Sequence, residues 1–239
     1  MAYDVVAVLG ASGYLGSKTS NLCKSIGILV YELSRKIDEI DLYGSVLVLD
    51  FAFPTRRITR KIRKEYLNNL LLNLTIASNL SLKYIYMGSY SSNPRSQSKY
   101  GALKREAESL VLKMGGNILR IGLVVDYDNP GGRFKQFVGI NKNLPVRIQF
   151  PVKWCPMSVT SSLEFENSIL EALKNNEQFI IKEIGHQTVF NDLISKTGNS
   201  VHTIHINEQL LEIISIILRF VPLGKLDFLR SILYRESRL

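Results

Sequence analysis

The segment Val5-Val6-Ala7-Val8-Leu9-Gly10-Ala11-Ser12-Gly13-Tyr14-Leu15-Gly16 constrains the fold more than any other stretch of the chain. A short, continuous apolar run that stops at glycine reads as a strand buried on both faces of a parallel sheet. The polar and apolar alternation that follows, up to Ile26, reads as a helix. Three glycines therefore occupy a strand-to-helix turn, and each has a physical use there. Gly10 permits the tight turn, Gly13 lets the backbone approach a pyrophosphate, and Gly16 lets the helix pack close to the sheet. Phosphates placed at this turn would meet backbone amides at a helix N-terminus. Gly10, Ser12, Gly13, Tyr14, Leu15 and Gly16 are thus candidate dinucleotide-binding residues. A glycine-rich turn that binds nothing is the plain alternative.

The rhythm continues along the chain. Strands are expected at 28–33, 46–50, 84–87, 118–125 and 179–184. Helices are expected at 68–79, at 100–114 with Gly115-Gly116 as its stop signal, and at 161–174. Strands alternating with helices argue for βαβ units. The expected fold class is α/β, a Rossmann-type doubly wound parallel sheet. Residues 1–182 would form the core, with a substrate loop at 126–157 opened by Asp128-Asn129-Pro130-Gly131-Gly132. Residues 183–239 would form a small C-terminal substrate lobe, with helical patterns at 191–197, 207–220 and 225–234.

Composition removes several classes of function. With 239 residues and 46% hydrophobic side chains, the chain can bury a core without disulfides or metal. Cys23 and Cys155 are far apart and lack metal-ligand spacing, which excludes a disulfide scaffold and argues against zinc. No basic region precedes the first apolar run, and no uninterrupted apolar stretch reaches about 18 residues. The expectation is a soluble cytoplasmic protein. The formal charge of +9 calls for an anionic partner, which by arithmetic alone is a nucleotide, a nucleic acid or a membrane surface.

The end of the second strand bears on the cofactor. An acidic residue there would hold ribose hydroxyls. The chain instead has Ser34, Arg35 and Lys36 at the strand end, with Glu32 two positions earlier. A small hydroxyl followed by cations suits a 2′-phosphate. The reading favours NADP over NAD, and Glu32 keeps NAD open. A solvated turn is the plain alternative for Arg35 and Lys36.

A second constellation carries chemistry. Tyr84 to Ser92 runs from a strand into a hydroxyl-rich loop, and Tyr100-Gly101-Ala102-Leu103-Lys104 follows. Spacing of i and i+4 puts Tyr100 and Lys104 on one helix face. A neighbouring ammonium favours phenolate, which lets a tyrosine exchange a proton near neutral pH. A serine hydroxyl from the strand end can bind the substrate oxygen.

In combination these segments resemble the extended branch of the short-chain dehydrogenase/reductase superfamily, the nucleotide-sugar epimerases, dehydratases and reductases. VAVLGASGYLG is similar to the branch's cofactor loop. VLVLDFAFP is similar to its fourth strand, which implies that Ala52 and Phe53 lie along the cofactor. YIYMGSYSS resembles the strand with the catalytic Ser or Thr, best placed on Ser89, with Ser91 as runner-up. SKYGALKREAE resembles the catalytic helix, ILRIGLVVDYDNPGG the next strand and substrate loop, and CPMSVTSSLEFENSILEAL the return to the core. The resemblance implies that Tyr100 is the acid/base and that Lys104 binds the nicotinamide ribose and tunes Tyr100. It also implies a nucleotide-diphosphate sugar as substrate.

Three departures stand out. The stretch from the second strand to Val46 is very short, so the usual third strand and helix are trimmed or missing. Ser89 and Tyr100 are only 11 positions apart. The region after Val125 is compact. These cuts fall mainly around the substrate.

Arg133, just past the glycine pair, is a candidate phosphate contact on the substrate, and Ser91 a second substrate-binding candidate. The run from Arg56 to Lys64 is foremost a solvated helix face. It lacks the aromatic or groove-reading elements that nucleic-acid binding needs. His186, His202 and His205 have surface or strand positions as their plain account, and metal binding there is disfavoured. The basic, leucine-rich tail 207–239 fits packing on the lobe or on a partner subunit better than a membrane surface, which leaves a homodimer open. The expected function is NAD(P)-dependent hydride transfer at a carbonyl or alcohol carbon. The alternative is a non-catalytic NADP-binding regulator or assembly factor on the same fold.

Overall fold

Four of the first five apolar residues of the opening segment, Val6 to Leu9, are fully shielded from solvent in the computed structural model. They form the middle of β1 (Val5–Leu9), around which the chain builds outward. The structure describes residues 2–37, 46–54, 58–94, 98–143, 146–149, 156–174, 179–197 and 202–205. After β1 come α1 (Tyr14–Ser25), β2 (Leu29–Leu33), β3 (Val46–Asp50), α2 (Arg60–Asn79), β4 (Lys83–Ser89), a 3-10 turn (Tyr90–Ser92), α3 (Lys99–Lys113) and β5 (Asn117–Ile121). Then follow β6 (Leu123–Val125), α4 (Gly132–Asn143), β7 (Val146–Gln149), β8 (Pro156–Ser161), α5 (Ser162–Lys174), β9 (Ile181–Ile184), β10 (His186–Val189), α6 (Phe190–Thr197) and β11 (His202–His205).

The main sheet has the order β2-β1-β3-β4-β5-β9, and every pair in it is parallel. From β1 the chain moves outward to β2, then returns to place β3 on the other side of β1. That reversal leaves a crevice above the carboxyl ends of β1 and β3, which is where open α/β sheets bind ligands. The glycine loop leaves β1 at one lip, and the Phe51–Pro54 turn leaves β3 at the other. Among the described residues β2 and β9 are the edge strands.

Side chains along each strand alternate between two cores. Val6, Val8, Leu47, Leu49, Ile85, Met87, Leu119 and Ile121 pack with Cys23 of α1 and with Phe165 and Ile169 of α5. Ala7, Leu9, Val48, Tyr84, Tyr86 and Ile118 pack with Leu70 and Leu74 of α2 and with Leu103 and Val111 of α3. This doubly wound Rossmann-type arrangement explains why the strands read as continuous apolar runs, with both faces covered by helices. Each fully buried Leu, Ile or Val contributes roughly 1.5–3 kcal/mol.

The structure differs from the sequence expectation at three elements. Helix α2 begins at Arg60, capped by Thr59, whose Oγ1 accepts the Ile62 N–H at 3.2 Å. The basic residues Arg60 to Lys64 are therefore its first turn and a half. The strand expected at 118–125 breaks at Gly122. Its N–H donates to Thr160 Oγ1 at 2.9 Å, and a Cβ there would collide with the Ser158 carbonyl. β6 consequently joins β8 and β10 in a separate three-stranded sheet. The loop expected at 126–157 holds a helix, α4, with Phe134, Phe137 and Val138 buried. His186 lies in β10, and His202 and His205 in β11, which pairs with β7. Arg56, Arg57, Cys155 and the helices expected at 207–220 and 225–234 lie outside the described residues. No helix among the described residues is long and apolar enough to cross a membrane.

Candidate active site

The fold requires two of the three loop glycines. Gly10 has φ +74°, and a Cβ on it would come within 2.8 Å of the Ala52 backbone nitrogen. Its N–H donates to the carbonyls of Leu33 and Ser34, both at 2.9 Å, which ties the loop to the end of β2. A Cβ on Gly16 would collide with the Gly10 carbonyl oxygen. Gly13 is different. Its backbone is ordinary extended chain, φ −80° and ψ 162°, and a Cβ would meet only the Gly10 oxygen, at 3.3 Å. The backbone conformation does not require glycine there, and the one contact a Cβ would make is tight but not a collision. Its missing side chain leaves space open at the start of α1, where no side chain caps the helix and no acid lies in the first turn. An open space at a helix N-terminus fits the diphosphate of a dinucleotide.

The neighbouring loop residues divide the work. Ser12 is exposed and Leu15 packs against the core. The Tyr14 side chain lies against Gly131 and Gly132, where a Cβ on Gly131 would collide with its ring. Tyr14 thereby seats the start of α4 on the glycine loop, a contact across more than a hundred positions that the sequence reading missed. At the β2 end, Ser34, Arg35 and Lys36 are exposed. Arg35 faces Glu65 of α2 at a loose 3.8 Å. Glu32 points to α1, where Lys24 binds it at 2.6 Å and holds its carboxyl below the usual range.

Helix α3 opens with Ser98 as cap, its Oγ accepting the Gly101 N–H at 2.9 Å. Tyr100, Lys104 and Glu108 follow at spacings of four on the inward face. The Tyr100 ring meets the Phe53 ring edge-on, with centroids 5.0 Å apart. Lys104 is only 5% exposed. Its Nζ donates to the Met87 carbonyl at 2.6 Å and lies 4.3 Å from the Phe53 ring centre and 4.5 Å from that of Tyr86. Burial pulls the Lys104 ammonium below its ordinary pKa, while Tyr100, Asp50 and Glu108 act in the opposite sense. Asp50, at the end of β3, is buried too. One oxygen accepts the Ala52 N–H at 2.7 Å and the other the Tyr84 hydroxyl. Burial raises its pKa. These bonds shape the turn that presents Ala52 and Phe53 to the crevice.

Ser89 ends β4 and is buried. Its Oγ accepts the Ser91 N–H at 3.2 Å, and its carbonyl accepts the Ser92 hydroxyl at 2.7 Å. Ser91 is buried in the 3-10 turn. The Ser89 N–H donates to Glu108 Oε1 at 3.2 Å. Arg120 of β5 grips the other oxygen of Glu108 with Nε and Nη2, at 3.0 and 2.7 Å, and reaches Glu183 with Nη1. The same helix that carries Tyr100 and Lys104 thus anchors the backbone of Ser89. Glu108 and Arg120 were not identified from sequence, although Glu108 continues the i, i+4 series.

Arg133 lies in the first turn of α4, with its guanidinium carbon 4.7 Å from the Tyr100 ring centre. It forms no ion pair among the described residues. The structure therefore gathers Phe53, Tyr100, Lys104 and Arg133 in direct contact. Ser34 and Arg35 stand apart from them, on the far side of Gly10.

No protein-family model matches the sequence, and no curated protein matches it. Solved structures are similar in fold. MoeE5 in complex with UDP-glucose and NAD aligns at a TM-score of 0.62 and 15% identity, covering 97% of both chains. The dTDP-4-dehydrorhamnose reductase of Bacillus anthracis in complex with NADP aligns at 0.65 and 13%, covering 86% of both. The UDP-N-acetylglucosamine 4-epimerase of Bacillus cereus aligns at 0.58 and 17%, covering 85% of both. At such identities the likeness is one of fold.

Proposed function

We propose that this chain, which has the fold of the extended short-chain dehydrogenase/reductases, is an NAD(P)-dependent oxidoreductase or epimerase acting on a nucleotide-linked sugar. One observation carries the reading. Tyr100 and Lys104 converge through Phe53 on the same crevice that the glycine loop opens. The candidate proton-exchanging side chain and the candidate diphosphate cradle thus border one crevice, through Phe53 and the adjoining Ala52 that abuts Gly10.

The glycine loop and the α1 N-terminus would hold the cofactor diphosphate, Ala52 and Phe53 would line it, and Ser34, Arg35 and Lys36 would meet a 2′-phosphate. When bound, the nicotinamide supplies or accepts the hydride. Tyr100 gives or takes the proton at the substrate oxygen. Charge that develops on its phenol oxygen is stabilised by the nearby cations of Lys104 and Arg133. Ser89 donates a hydrogen bond to the same oxygen, and its position is held through Glu108. Lys104 acts from beneath, by charge. Its buried amine, on the Met87 carbonyl, is the feature that favours the second reading, a non-catalytic NADP-binding regulator.

NADPH oxidation or NADP reduction in the presence of a panel of nucleotide-diphosphate sugars tests the proposal. Net cofactor turnover, or conversion of one of the sugars to its epimer with the cofactor unchanged, supports the enzyme; cofactor binding with neither supports the regulator. Arg133 supplies a finer check. Arg133→Ala is expected to raise KM by about tenfold, the loss of one charge-assisted hydrogen bond, with NADPH affinity unchanged. An unchanged KM removes Arg133 from the substrate site.

A further inference from the structure

We propose that Asn73 is a positioning residue for cofactor selectivity, holding the backbone of the 2′-phosphate site in place; this rests on the NADP reading above. Asn73 sits on α2 among Tyr66, Leu70, Leu74 and Ala77 and is 1% exposed. An amide in an apolar stripe is costly unless it is hydrogen-bonded. Here both its ends are used on one turn. Oδ1 accepts the Ile37 N–H at 2.9 Å, and Nδ2 donates to the Arg35 carbonyl at 2.9 Å. One side chain brackets Arg35-Lys36-Ile37 from 36 and 38 positions away.

The turn after β3 has an anchor of its own, since Asp50 accepts both the Ala52 N–H and the Tyr84 hydroxyl. Gly10 touches both turns. Above this buried network the Arg35 side chain is free to reorient. It is 70% exposed, and its pairing with Glu65 at 3.8 Å is an exposed one of little strength. A long side chain can place its guanidinium only as well as its backbone is placed. Asn73 fixes that backbone. A 2′-phosphate would feel its loss, whereas the diphosphate common to both cofactors is held by residues 10–16.

The test is fluorescence titration of NADPH and NADH into the full chain, its Asn73→Leu and Asn73→Ser variants, and Arg35→Ala. Leucine conserves volume and serine is too short to reach either backbone group. In both Asn73 variants NADPH is expected to bind about tenfold more weakly, as for loss of one bond to a charged group, with NADH affinity unchanged. NADH binding also reports that each variant is folded. Equal weakening of both cofactors, or none, overturns the role of Asn73 if Arg35→Ala still weakens NADPH selectively. If Arg35→Ala is not selective, or the wild type prefers NADH, the 2′-phosphate site itself falls, and the role of Asn73 with it.

Discussion

Tyr100→Phe is expected to slow single-turnover hydride transfer about 10²–10⁴-fold, the usual contribution of a positioned proton donor. The substitution removes one oxygen and leaves the ring. The edge-on contact with Phe53 and the Arg133 guanidinium over the ring are both made by ring atoms, so they persist. Cofactor affinity should be unchanged, and the loss should appear in the chemical step. The same variant made with Lys104→Met would separate charge from proton transfer. Lysine acts by stabilising the phenolate, so Lys104→Met should add little once the hydroxyl is gone, as for residues that act as a unit. Equal rates in wild type and Tyr100→Phe would remove Tyr100 from the chemistry.

The largest expected effect on stability comes from Arg120→Met. Glu108 is 3% exposed, and Arg120 supplies two of its hydrogen bonds. Without Arg120 the buried carboxylate keeps, among the described residues, only the Ser89 N–H. Breaking a buried pair from one side costs about 3–5 kcal/mol, which for a chain of this size lowers Tm on the order of 10 °C. Arg120→Met with Glu108→Gln should recover most of that loss, because no buried charge is stranded. Thermal unfolding of the two single variants and the double variant completes the cycle. Full additivity would show that the pair does not couple. If the pair holds Ser89 as described, the double variant should regain stability before it regains kcat.

The sheet was legible because its strands are covered on both faces. Val5–Leu9 and Val46–Asp50 are apolar at nearly every position, and no other local structure suits such short runs. The first turns of α2 were not legible, since Arg60 to Lys64 contribute no buried apolar residue and resemble any solvated charge run. α4 left a trace in Phe134, Phe137 and Val138 at helical spacing, but the glycines before it read as loop. The break at Gly122 depends on the Ser158 carbonyl, 36 positions away, and nothing local announces it.

The candidate site divides in the same way. Tyr100 and Lys104 stood out because their spacing is local to one helix. Arg133 stood out only by its place after Gly132, and its approach to the Tyr100 ring is a tertiary contact. Asn73, Glu108, Arg120 and the Tyr14 seat under α4 act through contacts of 12 to more than 100 positions. A single sequence carries no record of which distant residues meet. The polar members of these networks looked like ordinary surface residues until their burial was visible.

The dinucleotide cradle is tested most directly by Gly13→Asp. Position 13 has an extended backbone that any residue adopts, and it caps a helix that no side chain now caps. Aspartate is a favoured cap and complements the helix dipole, so α1 should be kept or strengthened. Its carboxylate would also occupy the open space meant for the diphosphate and repel it. The measurement is NADPH titration by fluorescence, with Tm recorded on the same samples. Saturable binding by the wild type, together with its loss in Gly13→Asp at unchanged or higher Tm, is the predicted result. Equal NADPH affinity in the two proteins, or no binding by the wild type, would contradict it.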